Sequence, residues 1–181
     1  MRFDVDKVLL SEDEIRRRVD ELAATIERDY DDKDLTMVPV LTGCTMFVAD
    51  LLRRLSIPLR LDYIGVSSYR GGMSSTGEFV VTKALQIDVR HRDVLVVDDI
   101  LDTGTTLNQV QRIIQELHPR SYRCCAFLEK RVAHASGVRA DYVGFQIPDA
   151  FVVGYGLDYR ERYRNLPFVG TLKAEAIERW Q

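Results

Sequence analysis

No stretch of this sequence stays apolar for the 18 or so residues that a membrane helix needs. The opening segment MRFDVDKVLL is too short and too acidic for a secretory leader. Both absences predict a cytoplasmic protein with no membrane partner. Cysteine is scarce as well. Cys44, Cys124 and Cys125 form no CxxC pair, and the adjacent two would point to opposite faces of a strand. Reduced, buried thiols are expected rather than a disulfide or a thiolate metal site. His91, His118 and His134 lack metal-ligand spacing such as HExxH, and are read as surface or structural residues. Neither sign of charge dominates: 25 Lys and Arg are interspersed with 28 Asp and Glu, a net charge of −3. That balance argues against a nucleic-acid binder driven by bulk charge. No Pro/Gly/Ser linker, repeat or low-complexity tract divides the chain. A single domain over residues 1–181 is therefore expected, long enough to bury a sizeable core.

What is present is an alternation of strand-like and helical patterns. Ser11 followed by Glu14 is a capping-box signature. Ile15, Val19, Leu22 and Ile26 then recur at helical spacing, predicting a helix of roughly five turns. Leu35 to Leu41 reads as a buried strand broken by Thr42-Gly43, with a helix through Phe47, Leu51 and Leu52 after it. Leu59 to Ser67 and Phe79 to Leu85 read as strands on either side of the loop sequence YRGGMSSTG. Val94 to Val97 has the look of a central parallel strand. Leu107, Val110, Ile113, Ile114 and Leu117 mark one face of the helix after it. Tyr122 to Leu128, Tyr142 to Phe145 and Phe151 to Tyr155 complete the expected strands. This order implies an α/β fold with a mainly parallel sheet flanked by helices. Ligands in such sheets bind at the carboxyl ends of strands, which directs attention to the loops after Leu41, Val97 and Leu128.

The segment after Val97 reads Asp98-Asp99-Ile100-Leu101-Asp102-Thr103-Gly104-Thr105-Thr106. Its second half suits a phosphate. Gly104 permits unusual dihedrals and a close backbone approach, the threonines donate hydroxyls, and the next helix offers free N–H groups. The nucleoside-triphosphate pattern GxxxxGK[ST] is absent. Carboxylates repel phosphate, so the three acids of the first half must serve something else. Hydroxyls of a sugar and a Mg2+ ion on a diphosphate both fit. An ordinary strand end with a capped helix would explain the isolated DTG, but not strand, acid pair and DTGTT in register.

VLVVDDILDTGTTL closely resembles the phosphoribosyl pyrophosphate motif of the type I phosphoribosyltransferases, and DYVGFQIPDAFVVGYGLDY is a second matching segment. The resemblance runs from VLLSEDEI to LPFVGTL, nearly the whole chain. It implies the fold of that family, with a small hood built from the chain termini. Asp102 points to the 6-oxopurine branch, whose members act on hypoxanthine, guanine or xanthine.

By that resemblance, Asp102 is the general base, Thr103 to Thr106 hold the 5′-phosphate, and Ile100 and Leu101 line the substrate site. Asp98 and Asp99 hold the ribose and, with Asp158, the metal environment of a Mg2+ cofactor. Lys130 bonds the 6-oxygen of the purine, which disfavours an amino group there. Phe151 stacks on the base, and the backbone of Ala150 and Val152 reads its edge. Arg164 contacts pyrophosphate together with Thr42 and Gly43. Ser68, Tyr69 and the loop to Gly77 form a lid that keeps water from the reacting sugar.

The chain departs from the family at Leu41-Thr42-Gly43, where relatives carry Leu-Lys-Gly, so a hydroxyl stands in place of a charge. The implied reaction moves the phosphoribosyl group to N9 of hypoxanthine or guanine, giving the monophosphate and pyrophosphate. Small molecules would be the partners, without nucleic acid, in a homodimer or homotetramer. The alternative is a regulatory nucleotide- or RNA-binding protein on the same fold, for which a basic face and another residue at 102 are expected.

Overall fold

The computed structural model describes residues 4–68, 79–131 and 137–180. Tyr69, the expected lid to Gly77 and His134 lie outside them. Six strands, β2 (Leu35–Leu41), β4 (Ile64–Ser68), β5 (Phe79–Lys83), β6 (Asp93–Leu101), β7 (Ser121–Lys130) and β8 (Tyr142–Ile147), form a sheet in the order β5-β4-β2-β6-β7-β8. A two-residue strand β3 (Arg60–Leu61) also pairs with β2. Only the β4–β5 pairing is antiparallel; the others in this sheet are parallel. The mainly parallel α/β architecture is therefore as the alternation predicts.

The two-residue period of β6 divides the core. Leu95 and Val97 face helices α1 (Glu12–Asp29) and α2 (Thr45–Leu52), through Val19, Ile26, Phe47 and Leu51. Val94 and Val96 face helix α3 (Thr105–Glu116), through Leu107, Val110 and Ile114. Cys125 and Cys124 follow the same division and are free, buried thiols. The start of α1 carries the expected capping box: Ser11 Oγ accepts from Glu14 N, and Glu14 Oε2 accepts from Ser11 N at 2.8 Å.

Strand β1 (Val5–Leu10) pairs antiparallel with β9 (Val169–Leu172), so the two ends of the chain make the small hood. Helix α4 (Ala174–Arg179) follows. The hood has its own apolar cluster around Val153, Tyr163, Leu166 and Leu172, and Trp180 Nε1 donates to Tyr163 Oη at 2.9 Å.

Beyond shifts of a residue or two at strand ends, three elements differ from the sequence reading. The strand expected over Leu59 to Ser67 splits into β3 and β4, because Asp62 turns its buried carboxylate back onto the chain. It accepts from the N–H of Tyr63, Gln86 and Ile87 and from Lys83 Nζ at 2.8 Å. The strand expected over Phe151 to Tyr155 is absent apart from the isolated bridges Val153–Gly170 and Gly154–Leu157. Tyr155 (φ 51°), Gly154 (φ 98°) and Gly156 (φ 102°) are left-handed, which no strand tolerates. Strand β6 runs on to Leu101, so Asp98 and Asp99 sit within the sheet rather than in a loop.

Asp62 supplies a stability prediction. Burial alone would raise its pKa, but the Lys83 ammonium and the backbone N–H donors outweigh burial and hold it at about 2, against an ordinary 3.8. A depressed folded value means stability that is present above about pH 4 and lost as pH falls toward 2. Asp62→Ala should cost roughly 3 kcal/mol in denaturant unfolding at neutral pH. The variant should also show a shallower loss of stability between pH 4 and 2 than the parent.

Candidate active site

The site forms where the carboxyl ends of β2, β6 and β7 meet the Val152–Arg164 segment. At the end of β2 the Leu41–Thr42 peptide is cis, and Thr42 O accepts from Thr45 N at 3.2 Å. Gly43 lies flat against Asp99: a Cβ at that position would sit 1.6 Å from Asp99 Oδ2. On its other side, a Cβ at Gly156 would sit 1.9 Å from Gly43 O. The Gly43 backbone is thus wedged between the Asp99 side chain and the Gly156 backbone, and glycine makes that possible.

Asp98 is buried and accepts from Asp99 N at 2.9 Å. Burial, and then the neighbouring Asp99 charge, push the Asp98 carboxyl well above the usual range. Asp99 is also pushed up by burial, partly offset by its bond with Asp98 and by backbone donors including Ile100 N–H. The Arg164 guanidinium favours the Asp99 carboxylate without offsetting its burial. Two adjacent carboxyls suit a hard, oxygen-seeking cation, so the donor set fits Mg2+.

Asp158 joins the same cavity but is engaged by Arg164, at 2.9 Å from Nη2. Arg164 is fixed further by Nη1 donating to Gly156 O at 2.8 Å and by Glu161 at 2.8 Å. Among the described residues no group of three His, Cys, Asp or Glu is placed to hold a metal. A full protein cage is not needed for Mg2+, which keeps waters and takes substrate oxygens beside one or two carboxylates.

Gly104 is left-handed (φ 81°) and caps α3 without a side-chain bond; Thr105 N donates to Thr103 Oγ1 at 3.4 Å, and the start of the helix lines the cavity with the threonines. Thr103 Oγ1 and Thr105 Oγ1 lie 2.9 Å apart. The resulting cavity of about 320 Å³ is bounded by Thr42 and Gly43, the Asp98–Thr106 run, Asp158 and Arg164.

A second cavity of about 210 Å³ adjoins it, lined by Lys130, Ala150, Phe151, Val152 and Leu157. The two share Asp99, Ile100, Asp102 and Asp158 as a common wall. Asp102 therefore stands at the seam. Lys130 Nζ reaches Asp102 Oδ2 at 2.8 Å and Asp149 Oδ1 at 3.1 Å, and the Lys130 side chain is only 12% exposed. Burial would lower its pKa, but the two carboxylates outweigh burial and raise it, so the ammonium stays charged. Phe151 is 58% exposed and meets Tyr159 edge to face at 5.7 Å, leaving a ring surface open to a ligand.

A family model described as phosphoribosyl transferase domain matches residues 8–160, more than four-fifths of the chain. The chain belongs to the phosphoribosyl transferase domain family. It is 46% identical to the hypoxanthine-guanine phosphoribosyltransferase of Staphylococcus epidermidis over 179 residues, 99% of this chain and 100% of that protein. Identity to the Staphylococcus aureus protein of the same name is 45% over 175 residues, 97% of this chain and 98% of that protein. A crystal structure of a hypoxanthine phosphoribosyltransferase from Staphylococcus aureus superposes with a TM-score of 0.91 at 45% identity, covering 97% of this chain and 95% of that one. One from Bacillus anthracis, with a HEPES molecule in its active site, gives 0.88 at 37%, covering 93% and 99%.

In this phosphoribosyl transferase, the residues singled out from sequence fall into the two cavities. Thr42, Gly43, Asp98 to Thr106, Asp158 and Arg164 line the first, and Lys130, Ala150, Phe151 and Val152 the second. Ser68 ends β4, and its side chain is not among those described. Asp149 and Gly156 were missed. An acid two residues past a strand has no signal in sequence until the Lys130 contact is seen. The close approach of Gly156 to Gly43 spans more than 100 residues.

Proposed function

We propose that this phosphoribosyl transferase moves the 5-phosphoribosyl group from phosphoribosyl pyrophosphate to N9 of a 6-oxopurine, hypoxanthine or guanine, as a step of purine salvage. The products are the nucleoside monophosphate and pyrophosphate. The observation that carries this reading is the position of Asp102 on the shared wall of a phosphate-type cavity and a base-type cavity, 2.8 Å from Lys130. The full-length similarity to proteins named hypoxanthine-guanine phosphoribosyltransferase supports it.

In this reading the α3 N-terminus and Thr103 to Thr106 hold the 5′-phosphate. Asp98 and Asp99 orient the ribose and would hold Mg2+, with Asp158 at the edge of that environment. When bound, the ion neutralises charge on the leaving pyrophosphate. Phe151 stacks on the base, the backbone of Ala150 and Val152 meets its edge, and Lys130 donates to the 6-oxygen. The lone pair of N9 attacks C1 of the ribose, the C1–O bond to pyrophosphate breaks, and pyrophosphate leaves with that electron pair. Asp102 takes the proton from N7 and becomes a neutral acid. Arg164 and the backbone at Thr42 and Gly43 receive the departing charge. The enzyme works in the cytoplasm as a homodimer or homotetramer.

The test is chromatographic detection of IMP or GMP from phosphoribosyl pyrophosphate, Mg2+ and hypoxanthine or guanine, with chelation of the ion as control. Mg-dependent formation of either monophosphate supports the reading, and the absence of both refutes it. Thr42 adds a sharper expectation. Its side chain is exposed beside the pyrophosphate end and carries no charge. Thr42→Lys should lower the KM for pyrophosphate in the reverse reaction by about tenfold, the scale of one charge-assisted contact. Pyrophosphorolysis of IMP measures it.

A further inference from the structure

The purine-facing lysine is held from two sides, and only one of its partners has a part in the chemistry. Asp102 follows β6, Lys130 ends β7 and Asp149 lies two residues beyond β8, so the three side chains come from the ends of adjacent parallel strands. The register fixes this meeting: Leu101 pairs with Glu129, Lys130 pairs with Ile147, and Arg131 N donates to Ile147 O at 2.9 Å. Lys130 Nζ then lies 2.8 Å from Asp102 Oδ2 and 3.1 Å from Asp149 Oδ1.

We infer that Asp149 is a positioning residue that anchors the Lys130 ammonium while Asp102 changes charge, and so helps set selectivity for a 6-oxo base. The inference rests on the proposed roles of Lys130 and Asp102. An ammonium has three hydrogens. Two go to the carboxylates, and the third is available to the cavity that Lys130 lines beside Phe151 and Val152. Once Asp102 takes the N7 proton it is neutral and its hold on Lys130 weakens. Asp149 takes no part in that proton transfer, because its side chain is 67% exposed and clear of the shared wall. It keeps the ammonium aimed at the 6-oxygen through the step in which charge moves. With Asp149 absent, Lys130 would be held by Asp102 alone and drawn toward the group that must accept a proton.

Steady-state kinetics of Asp149→Asn, Lys130→Met and the double variant test this. The exposed position of Asp149 predicts an unchanged thermal midpoint for its Asn variant. The expected result is a rise of about tenfold in KM for hypoxanthine, the scale of one charge-assisted bond, with KM for phosphoribosyl pyrophosphate unchanged. Asp149→Glu should recover part of the loss. In the Lys130→Met background the Asn substitution should change hypoxanthine kinetics less than about twofold, because its effect acts through the lysine. An unchanged KM in the single variant, equal effects on both substrates, or the same effect in both backgrounds would each overturn the inference. Failure of the underlying functional reading is separate: the parent enzyme would then form neither IMP nor GMP.

Discussion

Asp102→Asn is expected to fold as the parent does and to lose turnover by ~10² to 10⁴, or ~3 to 5 kcal/mol of transition-state stabilisation. The side chain is 47% exposed at the wall between the two cavities, so an isosteric amide displaces no core residue. An Asn still accepts from Lys130 through its carbonyl, and Asp149 still holds the ammonium, so the base cavity should keep its shape. What disappears is a group able to take a proton at the point where sugar and base meet. The loss should fall on kcat, with KM for phosphoribosyl pyrophosphate little changed, because Thr103 to Thr106 and the α3 N-terminus remain. Single-turnover measurement of IMP formation, alongside a thermal melt, checks both halves. Turnover within a few-fold of the parent would remove Asp102 from the acid–base role.

Gly43→Ala is expected to be the most damaging small substitution outside the phosphate loop. The added methyl would sit 1.6 Å from Asp99 Oδ2, well inside contact distance, so either the carboxylate or the Thr42–Gly43 backbone must move. Gly43 O is pressed by Gly156 from the other side, so the backbone is the less free to yield, and the half-buried Asp99 carboxylate, which lines both cavities, has to swing aside. Overpacking of this kind costs about 1 to 3 kcal/mol in stability. The larger consequence is for activity. A shift of about 1 Å in the carboxylates or the pyrophosphate loop can lower turnover by about 100-fold. Denaturant titration and IMP kinetics on one preparation separate the two effects. A variant that keeps full activity would show that Asp99 can be displaced without loss.

The parts of this fold legible in sequence are those governed by local chemistry. The capping box at Ser11 and Glu14, the β-branched run of β6 and the apolar face of α3 each declare their element within a few residues. The phosphate loop was legible for the same reason: strand, acids, Gly104 and threonines are contiguous. Contacts made across the chain left no such trace. Asp62 splits a strand by capturing the N–H groups of Gln86 and Ile87, more than 20 residues away. Phe151 to Tyr155 reads as strand by composition, yet Gly154 and Tyr155 turn left-handed and pair with the Leu157–Leu166 stretch, as does Gly156, which packs against Gly43. The extension of β6 to Leu101 depends on pairing with β7, which periodicity along one strand does not report. Asp149 belongs to the same class, because its meaning comes from Lys130 on the neighbouring strand.

The most direct test of the account is the ratio of kcat/KM for hypoxanthine or guanine to that for adenine, at fixed Mg2+ and phosphoribosyl pyrophosphate. A buried ammonium aimed at the 6-position leaves an amino group facing a donor it cannot satisfy. Discrimination of roughly 10⁴ in favour of the 6-oxopurines is expected. Adenine used within tenfold of hypoxanthine would contradict it.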